Sequence, residues 1–165
     1  MQRFEGNIVF AGRITPEALD IPAGALVNAG VASNAGLAVG KLEHQHQPPY
    51  AQESDTTAAA EDRVIHTVYG LTGKIEAFAV GCVVANVGAA VVTFDLHKNG
   101  ATVLTATVDV DSGDAAYAVV EATVDPAEED LAADDVLEVI VTVAAGGGTL
   151  GKGVFARTVI SEDAV

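Results

Sequence analysis

The sequence predicts an all-β fold: an antiparallel two-layer β-sandwich, jelly-roll-like, with an extended N-terminal arm. Three observations predict it. From residue 62 onward apolar and polar residues alternate with period two, the spacing of a strand with one dry face and one wet face. Asn99-Gly100 sits between two such runs, and a tight type I′ hairpin needs positive φ at both central positions, which Asn and Gly tolerate. Turn signals recur every 8–15 residues or so, with no helical period long enough for a crossover helix.

Taken in order, residues 1–59 form the arm and its linker, and residues 60–165 form the sandwich. The first part holds Pro16, Pro22, Pro48 and Pro49, four of the chain's 5 prolines, among short apolar fragments without a sustained period. Thr15-Pro16 is suited to cap a short helix. His44 to Tyr50 reads as an extended, polyproline-like piece, and Gln52 to Glu61 as a small, polar linker.

The strands then follow. Arg63 to Tyr69 is β-branched and stops at Gly70. Lys74 to Val84 is a second strand, with Ile75, Ala77 and Ala79 on one side, Glu76, Phe78 and Val80 on the other, and Gly81 marking a bulge or bend. Ala89 to His97 puts Val92, Phe94 and Leu96 opposite Thr93, Asp95 and His97. The hairpin return is Ala101 to Val110, with Leu104, Ala106 and Val108 inward. Tyr117 to Val124 is the next strand, closed by Asp125-Pro126, and Ala127 to Ala133 is suited to one helical turn. Val136 to Val143 is apolar except at Glu138 and Thr142, as in a central strand, and Gly153 to Ile160 completes seven.

Composition narrows the function. The 165 residues include 8 Lys+Arg and 23 Asp+Glu, a net charge of −15. A nucleic acid or an anionic membrane surface requires a basic footprint that this chain lacks. No apolar run approaches the roughly 20 residues of a bilayer span, and the first residues lack the continuous apolar stretch of a secretory leader. A single cysteine, Cys82, rules out an intrachain disulfide; flanked by Val83 and Val84, it reads as a buried, inert thiol.

Candidate chemistry is sparse. No nucleophile elbow or phosphate-cradling glycine loop is present; Gly146 to Lys152 lies between strands with the wrong spacing for a Walker loop. His44 and His46 point the same way in an extended chain and are placed to share a Zn²⁺, with Glu43, His66 and His97 as further donors; a packing contact in a surface loop suits them equally. Asp109, Asp111 and Asp114 are weak candidates for a Ca²⁺ loop, against the reading of a solvated turn. The segment from Asp109 to Glu138 carries no Lys or Arg, and so forms an acidic surface. The expectation is no catalytic residue, no cofactor and no enzyme.

The stretch Asn34 to Leu42 with the His/Gln/Pro/Tyr segment after it, the block from Gly73 to Thr105, and Ala133 to Val139 followed by Gly146-Gly147-Gly148, Gly151 and Val154-Phe155 resemble virion structural proteins of tailed bacteriophages. The likeness is to jelly-roll-like head decoration (cement) and fibre proteins, and it extends over most of residues 34–160. It implies a structural protein on the outer surface of the capsid, bound to the major capsid protein and to neighbouring copies of itself, commonly as a homotrimer, with an arm gripping the shell. It supplies no catalytic residues.

The residues fit such an arm: apolar side chains without a period order best against a partner. Contacts are therefore expected from Ile14, Leu19, Ile21, Leu26, Val27, Leu37 and Leu42, with His44, His46 and Tyr50 at the joint. The alternatives are a tail fibre, spike or glycan-binding surface module, and third a cupin-like metal enzyme built on His66 and His97.

Overall fold

A computed structural model describes residues 44–70 and 72–162. Their strands are β1 (His44–His46), β2 (Pro49–Ala51), β3 (Glu61–Thr67), β4 (Thr72–Val84), β5 (Val91–Lys98), β6 (Ala101–Thr102), β7 (Val108–Val110), β8 (Val119–Ala122), β9 (Asp130–Ala132), β10 (Val136–Ala144) and β11 (Lys152–Glu162). All pairings between them are antiparallel. One sheet runs β1-β11-β4-β8, with β2 also on β11 and β9 also on β4; the other runs β3-β10-β5-β6, with β7 also on β5. Counting β1–β2, β6–β7 and β8–β9 as three interrupted strands gives eight. Their order is first-eighth-third-sixth in one sheet and second-seventh-fourth-fifth in the other, the jelly-roll arrangement of two packed Greek keys.

The core between the sheets is aliphatic with two phenylalanines and one tyrosine: Phe78, Val80 and Cys82 from β4, Val92, Phe94 and Leu96 from β5, Leu137, Val139 and Val141 from β10, Val154 and Ile160 from β11, and Tyr50. Each set recurs at every second residue, as the pleat requires. β10 lies between β3 and β5 and is the central strand its composition predicts. Asn99 and Gly100 adopt φ values of 53° and 82°, the positive pair that a type I′ turn demands. Asn99 also clasps the start of β10, donating to Asp135 Oδ1 at 2.7 Å and accepting from the Val136 amide at 2.9 Å.

Several local expectations are corrected. The sandwich starts before residue 60: β1 and β2 pair with β11 and supply the first strand of the jelly roll, without which the β11 edge would be open. Gly81 is in regular register; a side chain there would run into the Ala118 carbonyl and come within 2.6 Å of Phe155 Cζ, so the glycine serves close packing. The bulge in β4 is instead at Glu76, where Ala77 faces Val159 but Ile75 already faces Ile160. It turns Ile75 to the core side, together with Phe78 and Val80.

The hairpin return is also interrupted. Between β6 and β7 the chain leaves β5 and bridges to the other sheet's edge through Leu104 and Val124, burying Val103 and Leu104 while Ala106 stays exposed. Finally, no helical turn forms at 127–133. A turn at 126–128 leads into β9, whose Leu131 enters the core.

Candidate functional site

The expected contacts Ile14, Leu19, Ile21, Leu26, Val27, Leu37 and Leu42, the helix cap at Thr15, and Glu43 lie outside the described residues. The joint lies within them, and it is a polar seam that ties the first strand of one sheet to β3 of the other.

At one end of the seam, β11 delivers Glu162 and β3 delivers His66, both pointing between the sheets. Glu162 is 4% exposed. One carboxylate oxygen bonds His66 Nε2. The other accepts the amides of Gly70 at 3.0 Å and Tyr69 at 3.3 Å. His46, from β1, lays its ring against His66 with centroids 5.3 Å apart and planes tilted by 38°. Burial by itself would raise the Glu162 pKa. The His66 hydrogen bond, the Gly70 amide and the charges of His66 and His46 together hold it below the ordinary carboxylate value.

Further along, Tyr50 projects from β2 into the core at 1% exposure, so it is a packing residue and not a surface contact. Its hydroxyl donates to Glu61 Oε2 and accepts from Gln52, both at 2.9 Å. Arg63 lies 5.0 Å above its ring and closes on Glu61. Burial, then the bond to Glu61, push the phenol up to about 12. Gln52 completes the clasp by taking the Ala59 amide at 3.0 Å and donating to its carbonyl at 2.7 Å, so the linker of residues 52–59 is bound to the sandwich. The joint thus holds sheets together, with His46 half-buried and Arg63 exposed at its rim.

The remaining sequence candidates divide the same way. Asp111 accepts from the Gly113 amide at 2.6 Å and Asp114 from the Asp111 amide at 3.0 Å, the bonding of a self-contained turn, while Asp109 accepts from the Thr93 hydroxyl of β5 at 2.6 Å. Among the described residues no group of three or more His, Cys, Asp or Glu is gathered as a metal site. The register separates the two histidines of the cupin-like reading: His66 lies opposite inward Leu137, whereas His97 lies opposite Glu138 on the outside and bonds Asp95 at 3.1 Å. Cys82 is fully buried, and burial pushes its thiol pKa up.

Tyr69 and Tyr117 are 86% and 71% exposed. They are anchored near opposite ends of β4, by Glu162 opposite Gly73 and by Cys82, roughly 30 Å apart along the strand, so they do not share a sugar platform.

Sequence reasoning missed Glu162 of the seam and, away from it, Asn86. At 3% exposure it donates to the Val110 carbonyl at 2.8 Å and accepts the Gly151 amide at 2.7 Å, joining three segments. Its sequence neighbours Ala85 and Val87 give no sign of such a role, because both partners are remote in the chain. No protein-family model matches this chain, and no curated protein matches it.

Proposed function

We propose that this chain is a non-enzymatic structural protein of a tailed-phage virion, a decoration (cement) protein on the outer surface of the head. What carries the reading is how the described polar side chains are used. Glu162, Asn86, Gln52, Asn99 and the Asp111–Asp114 turn spend hydrogen-bonding groups on the chain's own backbone and neighbouring side chains, which suits a subunit selected for rigidity. A jelly roll so braced is a passive plate on which an adhesive segment is carried. The apolar side chains of Ile14, Leu19, Ile21, Leu26, Val27, Leu37 and Leu42 bury against the major capsid protein or a neighbouring copy. Association as a homotrimer multiplies a weak contact into a firm one.

The test is co-sedimentation of the full chain with heads of its phage that lack their decoration. Wild type is expected in the head fraction. A Leu19→Asp, Ile21→Asp, Leu26→Asp variant, with an unchanged circular dichroism spectrum, is expected in the supernatant. Equal occupancy by the two proteins would refute the role of the arm, and absence of wild type from the heads would refute the reading itself.

A further inference from the structure

We infer that the outer face of the sheet formed by β11, β4 and β8 is the surface through which copies of this chain meet, the occupant being a second copy. The two outer faces of the sandwich differ in kind. On the β3-β10-β5 sheet the outward positions are mostly polar, Asp62, Glu138, Asp95, His97, Thr93 and Thr142, with Val64 and Ile140 among them. On the β11-β4-β8 sheet the rows through Ala77, Ala79 and Gly81 are mostly apolar or small instead. Phe155 stands opposite Gly81 and Val119, Val159 opposite Ala77, and Arg157 opposite Ala79 and Glu121. Val119 is 55% exposed. Alanines and glycine along β4 leave a trough between the side chains of β11 and β8, and an open depression of about 430 Å³ continues it past Arg157 and Glu121.

Charge selects the occupant. A chain of net charge −15 repels its own copies over most of its surface, and the repulsion is least where the local charge cancels. The trough and its depression are such a place: the cations Lys74 and Arg157 stand against Glu76, Glu121 and Glu129, within one charge of balance, with Arg157 and Glu121 on opposite flanks of Ala79. Among the described residues Arg63, Lys74 and Lys98 are committed to carboxylates, whereas Arg157 makes no ion pair. It is therefore available to a carboxylate of a neighbouring acidic copy, while Phe155, Val159 and Val119 lose their water.

The inference draws its choice of partner from the reading of a self-associating virion subunit, and its test is separable from that reading. Light scattering of the full chain in dilute buffer is expected to give a multiple of 16.7 kDa. A Val119→Glu, Arg157→Glu variant is expected to fall to the mass of one chain with an unchanged melting curve, since both side chains are exposed. Val64→Glu, at a residue 54% exposed on the other sheet, is expected to keep the oligomer. A monomeric wild type would overturn the inference and leave the face to a different protein. An oligomer that survives the double substitution would also overturn it, placing the contact elsewhere. An oligomer that is disrupted by the double substitution but never binds heads would sustain it and remove the decoration reading.

Discussion

Replacing Glu162 with alanine removes the one carboxylate that ties β11, β3 and the turn after β3 together. Three donors lose their acceptor: His66 Nε2, the buried Gly70 amide and the Tyr69 amide. Stripping one partner from a buried ion pair costs about 3–5 kcal/mol. Here His66 and Tyr69 can turn part of their surface to water, so the expected loss is roughly 2–4 kcal/mol, dominated by the stranded Gly70 amide. At about 3–5 °C per kcal/mol for a domain of this size, the melting temperature should fall by roughly 6–20 °C.

The pH dependence carries the sharper signature. Glu162 has a folded pKa below its ordinary value, so its stabilisation is complete above the ordinary carboxylate range and fades as pH falls through the folded value. Thermal unfolding of the full chain, followed by circular dichroism from neutral pH to well below about pH 4, should show the gap between wild type and variant closing on the acid side. A gap under about 2 °C at neutral pH would refute the assignment of Glu162 as the seam's anchor, as would a gap that stays constant with pH.

Three other outcomes follow from the same packing. Asn86→Ala strands the Val110 carbonyl and the Gly151 amide and should cost about 2–4 kcal/mol, measurable by urea unfolding with an unchanged m-value. Thr158→Val should stabilise by about 1 kcal/mol, because the Thr158 hydroxyl is buried with no hydrogen-bond partner among the described residues; a lower urea midpoint would contradict this. Cys82 should resist a thiol reagent at pH 8 in the folded protein and react at once in denaturant, and rapid labelling of the native state would contradict its burial and raised pKa.

The sequence by itself determined the strands and their inward faces wherever the signal is local. The alternation of Val92, Phe94 and Leu96, the Asn99-Gly100 turn and the apolar run of β10 each need only a few neighbouring residues to be read, because pleat and turn geometry are set by adjacent side chains. Tertiary structure alone decided what depends on remote partners. Tyr50 reads locally as part of a proline-rich loop, yet the open edge of β11 draws its segment in as the first strand. Gly81 looks like a bulge until Phe155 and the Ala118 carbonyl are placed against it, while the true bulge, at Glu76, is fixed by Val159 and Ile160 some eighty residues away. Glu162 and Asn86 are equally silent in the sequence, since a buried polar residue is defined by the backbone groups it serves, and those reach it only when the two sheets close.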